Sequence, residues 1–138
     1  MAARKLRILY SEDDPDNREM ICLILGHKGF EVVCPEGPQD VLRMAREDRF
    51  DAFLLDSWMP GMSGVELCER IREFDSHTPI IFYSAAVFPS DKDRAIAAGA
   101  QAYITKPSTV NEVVNGLRLA ISLTAARLNS ISLAGASD

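Results

Sequence analysis

The stretch Ala52-Phe53-Leu54-Leu55-Asp56-Ser57-Trp58-Met59-Pro60-Gly61 decides the fold. Four apolar residues run without alternation, an acid follows, and a Pro/Gly loop follows the acid. An unbroken apolar run of strand length suits a strand buried on both faces, and such strands belong to parallel sheets covered by helices. In open sheets of that kind, ligands bind beyond the carboxyl ends of the strands. Asp56 stands at such an end.

Outward from this strand the same pattern recurs. Arg7 to Tyr10, Phe30 to Cys34, Pro79 to Tyr83 and Ala102 to Thr105 read as four further strands. Between them lie segments of helical period. Asp14-Pro15 opens the first, as a capping acid followed by a first-turn proline, and Gly26 and Gly29 mark its end. Met20, Ile21, Ile24 and Leu25 form its stripe. Gly37-Pro38 opens a second helix, with Val41, Leu42 and Ala45 inward. Val65, Cys68 and Ile71 mark a third. Ser90 and Asp93 offer a cap for a fourth that Gly99 ends. Val110, Val113, Val114, Leu117 and Ile121 mark the fifth. Five βα units in alternation predict a doubly wound α/β domain, a parallel sheet with helices on both faces. Residues 1–128 are expected to form this single domain, and 129–138, rich in Ser, Ala and Gly, a flexible tail.

Composition narrows the function. The 138 residues are 47% hydrophobic and 25% charged, which is that of an ordinary globular chain. A formal charge of −5 argues against direct nucleic-acid binding. No apolar run approaches the roughly 20 residues that span a bilayer, and no signal-peptide core is present, so a cytoplasmic protein without membrane contact is expected. Cys22, Cys34 and Cys68 are odd in number and widely spaced among apolar residues. They read as reduced thiols rather than a zinc site or a disulfide framework.

The chemistry sits at the strand ends. The first strand leads into Glu12-Asp13-Asp14, the third ends at Asp56, the fourth at Ser84 and the fifth at Lys106. If these strands are neighbours, their side chains share one pocket. Two carboxylates about 4 Å apart repel by roughly 4 kcal/mol at an effective dielectric of about 20, and a divalent cation removes that cost. Hard oxygen ligands suit Mg²⁺, with Mn²⁺ as a substitute. A carboxylate nucleophile, a metal, a lysine and a hydroxyl together describe a phosphoryl-transfer site. Taken singly, Asp13 or Asp14 reads as a helix cap, Ser84 as a structural hydroxyl and Lys106 as a surface lysine. Their joint fall at successive strand ends is what points to function.

The chain resembles the receiver domains of two-component response regulators. The resemblance runs from about Arg4 to Leu128. It is carried by Arg7-Ile8-Leu9-Tyr10-Ser11-Glu12-Asp13-Asp14, Leu54-Leu55-Asp56 through Gly64, Ile81-Phe82-Tyr83-Ser84-Ala85, Gly99-Ala100 and Tyr103-Ile104-Thr105-Lys106-Pro107. It implies a flavodoxin-like strand order 2-1-3-4-5. Asp56 resembles the phospho-acceptor, and Asp13 a direct ligand of Mg²⁺ with Glu12 acting through water. The backbone carbonyl of Trp58 matches a third protein ligand. Ser84 and Tyr103 resemble the switch pair, and Lys106 the pattern's lysine, with a typically cis bond to Pro107. The resemblance further implies a phosphohistidine donor on a histidine kinase or phosphotransfer protein, Mg²⁺-dependent self-phosphorylation and self-dephosphorylation, and a phosphorelay role read out through helix 4, strand 5 and helix 5. The downstream target is unnamed, and the chain is expected as a monomer or a phosphorylation-linked homodimer.

Two positions depart from the pattern. Ser11 stands where an apolar residue is commoner. Trp58 is bulky two residues past Asp56, where its ring either packs over the loop or shields the acceptor from water. The alternative function is a receiver-like interaction module that signals without phosphate, against which the intact Asp13, Asp56, Ser84 and Lys106 argue. An aspartate-nucleophile phosphatase would want a second acid where Trp58 stands. An FMN binder would not place Glu12-Asp13-Asp14 against a phosphate dianion.

Overall fold

The computed structural model describes residues 4–86, 88–106 and 108–136. The strands are β1 (Leu6–Ser11), β2 (Phe30–Val33), β3 (Ala52–Leu55), β4 (Ile80–Ser84) and β5 (Ala102–Thr105). The helices are α1 (Pro15–His27), α2 (Pro38–Glu47), α3 (Gly64–Arg72), α4 (Pro89–Ala98) and α5 (Val110–Ala136). All strand pairs are parallel and the order is β2-β1-β3-β4-β5, as the resemblance implies.

Alternation along the strands divides the core in two. Leu9, Phe53, Leu55, Ile80 and Phe82 face one way and meet Val41 of α2, Leu67, Cys68 and Ile71 of α3, and Ala95 of α4. Ile8, Tyr10, Leu54, Ile81 and Tyr83 face the other way and meet Ile21 and Leu25 of α1 and Val113, Val114 and Leu117 of α5. All four residues of β3 are therefore buried, which is why that run carries no polar alternation. Each large apolar side chain taken fully from water contributes about 1.5–3 kcal/mol, so these two layers hold the sheet and fix its register.

Local chemistry sets the helix ends. Asp14 caps α1, its carboxylate accepting from the Asp16 N–H at 3.1 Å, with Pro15 in the first turn. Ser63 caps α3 through the Glu66 N–H at 3.1 Å. The expected Ser90/Asp93 cap of α4 is not what forms. The helix starts at Pro89, the N-cap is Phe88, and the Asp91 carboxylate accepts from the Phe88 N–H at 3.1 Å. Proline favours the first helical turn, and it draws the start ahead of Ser90. Gly99 ends α4 with φ +118, and a Cβ there would lie 2.8 Å from Arg72 Cγ. Helix α5 continues past Asn129, where the composition suggests a loose tail, and reaches Ala136. No proline interrupts the helix, and Leu and Ala favour it enough to carry it through Gly116 and Gly135.

Candidate functional site

The sheet order places the carboxyl ends of β1, β3, β4 and β5 side by side, and the polar residues of the sequence pattern gather there. Backbone bonds fix the frame. Asp56 N–H donates to the Ser11 carbonyl at 3.2 Å, and Lys106 N–H donates to the Ser84 carbonyl at 2.8 Å. Helix α3 presses on the same spot. A Cβ on Gly64 would lie 2.1 Å from the Asp56 carbonyl oxygen, so only glycine lets the helix start this close to the end of β3.

Glu12, Asp13 and Asp56 each offer a carboxylate oxygen, and the three atoms lie within 4.8 Å of one another. Glu12 is 3% exposed, whereas Asp13 and Asp56 are half-buried. Lys106 Nζ bridges two of the acids, donating to Glu12 Oε1 and to Asp56 Oδ2 at 3.1 Å each. It also sits 5.0 Å above the ring of Tyr83. Glu12 Oε2 is buried without a hydrogen-bond partner among the described residues. Burial, reinforced by the neighbouring Asp56, pushes the Glu12 carboxyl up to about 7 against the opposing pull of Lys106. Asp56 goes the other way. Burial raises it, but its interaction with the neighbouring Glu12 and the Lys106 charge outweigh burial and hold it below the usual range. Lys106 is raised, because Asp56 and Glu12 more than offset its burial. The pocket thus holds an ionised Asp56 next to an acid that resists ionisation.

Not every predicted residue converges. Ser84 is buried at the end of β4, but its Oγ accepts from the Ala86 N–H at 3.1 Å and, among the described residues, makes no bond to Asp56. Tyr103 lies half-buried with its ring stacked on Phe82 at 5.8 Å between centroids. Its hydroxyl donates to the Ala86 carbonyl at 2.8 Å and lies 3.2 Å from Ser57 Oγ. Ser84 and Tyr103 therefore meet through the backbone of one residue, Ala86. Trp58 N–H donates to Asp56 Oδ1 at 3.2 Å, and the Trp58 ring is 70% exposed, so it does not pack over the loop. Pro107 and its expected cis bond lie outside the described residues.

Other members of the site have no motif to announce them. Arg18 of α1 reaches back to the Glu12 carbonyl at 3.3 Å and holds the β1–α1 loop. Ser11 is 2% exposed and turns its hydroxyl onto the Met59 sulfur, so the polar residue at the apolar position is satisfied by the loop after β3. The Tyr10 hydroxyl is buried with no partner among the described residues, and burial, with the charges of Glu12 and others nearby, raises its pKa. Arg18 stands one helical turn into α1, a place the Asp14-Pro15 opening could have pointed to; the Ser11 contact and the burial of Tyr10 depend on how separate elements pack.

Fold and site together define a doubly wound α/β domain with a lysine-bridged acidic cluster at the carboxyl edge of its sheet. The family model for the response regulator receiver domain matches residues 8–118, and the chain belongs to that family, the receiver domains of two-component signalling. It is 34% identical over 118 residues to the DNA-binding response regulator MtrA of Mycolicibacterium smegmatis, covering 86% of this chain and 51% of that protein. It is 36% identical over 116 residues to the sensor histidine kinase AruS of Pseudomonas aeruginosa, covering 81% of this chain and 12% of that protein. The chain thus spans about half or less of these relatives. The solved receiver domain of another Pseudomonas aeruginosa sensor histidine kinase has a magnesium ion coordinated in its active-site cleft. It superposes with a TM-score of 0.80 at 28% identity, covering 86% of this chain and 99% of that one. Among the described residues no helix is long and apolar enough to cross a membrane.

Proposed function

We propose that this receiver accepts a phosphoryl group on Asp56 in the presence of Mg²⁺ and changes the α4–β5–α5 surface in response. The observation that carries the reading is Lys106 Nζ at 3.1 Å from both Asp56 and Glu12, in a cluster where three carboxylate oxygens lie within 4.8 Å. The donor set fits Mg²⁺: hard oxygens, few in number, with the Glu12 Oε2 acceptor still unused. Glu12, Asp13, Asp56 and the Trp58 carbonyl would hold it, with Mn²⁺ as a substitute. When bound, the ion neutralises charge on the transferring group and on the acids around it.

The chain's own residues do the rest. Asp56, held ionised, is the nucleophile whose oxygen attacks phosphorus while the bond to the donor histidine breaks. Lys106, already paired with Asp56, turns its charge to the incoming phosphoryl oxygens. The new group adds about −1.5 to −2 charge, by analogy with other phosphorylated side chains. The Ser84 hydroxyl then exchanges its contact with Ala86 N–H for a phosphoryl oxygen. That releases the loop whose Ala86 carbonyl holds the Tyr103 hydroxyl, so Ser84 and Tyr103 move as a pair. Return of the free aspartate is hydrolysis in the same site. The donor, met in the cytoplasm, is a phosphohistidine on a histidine kinase or phosphotransfer protein, and the output is binding of a protein partner or of a second copy.

Acetyl phosphate with Mg²⁺, followed by intact mass, tests this directly. One phosphoryl mass on the wild type and none on Asp56→Asn is the expected result. No gain on the wild type would instead favour a module that signals without phosphate.

A further inference from the structure

Ser57 stands between the two groups that the proposed metal site takes from the loop after β3, the Asp56 carboxylate and the Trp58 carbonyl. It is tied down on both sides. Its carbonyl accepts from the N–H of Gly64, the first residue of α3, at 2.9 Å. Its half-buried hydroxyl lies 3.2 Å from the Tyr103 hydroxyl of β5, on the far side of β4 in the sheet. Proton count fixes the direction of that bond. A hydroxyl has one proton to give, and Tyr103 gives its own to the Ala86 carbonyl at 2.8 Å. Ser57 is therefore the donor and the phenol oxygen the acceptor. Ala86 N–H in turn donates to Ser84 Oγ at 3.1 Å. One run of contacts thus leads from Ser57 through Tyr103 and Ala86 to Ser84. The Ser84 end responds to a phosphoryl oxygen, whereas the Ser57 end is bonded into the segment that carries the acceptor.

We propose that Ser57 is a positioning residue: its hydroxyl, seated on Tyr103, holds the Asp56–Trp58 segment in the conformation that takes Mg²⁺, and so links the metal to Tyr103 before any phosphoryl group arrives. The proposal rests on the metal-assisted reading of the site. The link is reciprocal: whatever Tyr103 adds to metal affinity through Ser57, the bound ion returns as a restraint on Tyr103. The Tyr103 ring is held separately, stacked on Phe82. Tyr103→Phe therefore removes the hydroxyl and leaves the ring its packing. A neutral hydrogen bond of this kind changes an equilibrium constant about two- to tenfold. Mg²⁺ without a phosphodonor isolates the Ser57 end, because Ser84 exchanges its partner only for a phosphoryl oxygen.

The test is calorimetric titration of the whole chain with Mg²⁺, for the wild type, Ser57→Ala, Tyr103→Phe and the double variant. Each single substitution should weaken Mg²⁺ binding about two- to tenfold. The double variant should be no weaker than the weaker single one, since both remove the same bond. In NMR spectra the Tyr103 ring signals should shift on Mg²⁺ addition in the wild type and by much less in Ser57→Ala, a response that a merely structural serine would not control. Unchanged or tighter binding in Ser57→Ala would overturn the proposal. So would losses that multiply in the double variant, or a full Tyr103 shift without the Ser57 hydroxyl. A wild type that takes up no Mg²⁺ would refute the metal reading and this coupling with it, whereas a wild type that binds while Ser57→Ala binds equally well refutes the coupling alone.

Discussion

Glu12 is the residue at which the proposed chemistry and the stability of the fold oppose each other, and Glu12→Gln separates them. In the metal-free protein the Glu12 carboxyl is raised from 4.5 to about 7, because it is buried and faces Asp56. A folded-state pKa above the unfolded one means that the native state holds the proton more tightly. The associated stability is fully present below about 4.5 and is lost as pH rises through about 7. At about 1.4 kcal/mol per pKa unit this is at most about 3.5 kcal/mol. Asp13, Asp56 and Lys106 are part-exposed, so solvent screening brings the expected loss to about 1–2 kcal/mol. Asp56 does not cancel it, because a lowered carboxylate loses its stability at more acid pH, outside this window. Glutamine is a permanent copy of the neutral acid. Its oxygen can accept from Lys106 where Oε1 does now, and its amide fills the place of the unpartnered Oε2. In EDTA at pH 8, Glu12→Gln should therefore melt about 4–8 °C above the wild type, with the two equal near pH 4.5. Saturating Mg²⁺ should narrow or reverse the gap, since binding adds RT ln(1 + [L]/Kd), about 2.7 kcal/mol at a hundredfold excess over Kd. Thermal unfolding across pH 4.5 to 8.5, with and without Mg²⁺, reads all of this. A wild type whose metal-free stability is flat from pH 5 to 8, or a variant that melts no higher in EDTA, would refute the reasoning.

Three further outcomes follow from single contacts. Gly64→Ala would put a Cβ 2.1 Å from the Asp56 carbonyl oxygen and 3.0 Å from Phe82 Cε2. Overpacking of this kind costs about 1–3 kcal/mol or more. A melting temperature about 4 °C lower or worse, together with weaker phosphoryl acceptance, is expected; an unchanged melt would show that α3 shifts freely. Gly26→Ala, in α1 with nothing within 4 Å of the new methyl, should instead stabilise by about 0.4–1 kcal/mol in urea unfolding, because alanine is the better helix former. Asp75 accepts from Thr78 Oγ1 at 2.6 Å, Thr78 N–H at 2.9 Å and His77 N–H at 3.0 Å, and these bonds outweigh its burial to lower its pKa. Asp75→Ala should cost about 1–3 kcal/mol at pH 7. That difference should shrink as pH falls below about 4 and through the folded-state value, which unfolding curves at pH 7 and pH 3 would show.

The strands were legible because burial on both faces leaves no polar residue in the run: Ala52 to Leu55 reads as β3 to the residue. Periodicity does not carry strand order, and the order came from the resemblance of motifs. The start of α4 was not legible. Phe88 has no side-chain acceptor, so a rule that looks for Ser, Thr, Asp or Asn passes over it and lands on Ser90. Glu12, Asp13, Asp56 and Lys106 were legible as strand-end residues, since adjacency of β1, β3, β4 and β5 is enough to bring them together. The state of Ser84 was not. Its hydroxyl meets the Ala86 N–H two residues on, a contact set by the backbone path after β4 and not by residue type. Arg18, Ser11 and Tyr10 belong to the site for the same kind of reason. Ser11 meets Met59 across 48 residues, Arg18 folds back on the β1–α1 loop, and Tyr10 is buried by the packing of separate elements, while their residue types, taken alone, are ordinary.

The acidic pocket breaks the rule that buried polar groups are satisfied, and it breaks it where the fold can bear the cost. Glu12 Oε2 and the Tyr10 hydroxyl are both buried without partners among the described residues, and Glu12 lies against an ionised Asp56. The surrounding structure holds them there. Beneath them lie Leu9, Leu54, Leu55 and Phe82, all fully buried; Asp56 N–H is bonded to Ser11, and α3 presses on the Asp56 carbonyl. A native state in which, among the described residues, Lys106 is the cation paired with both acids is one that a divalent cation stabilises, and a phosphoryl group gives Lys106 a competing partner. Local instability at the strand ends is then what makes the pocket responsive. Relieving it by glutamine at position 12 should give a protein that folds better and switches worse.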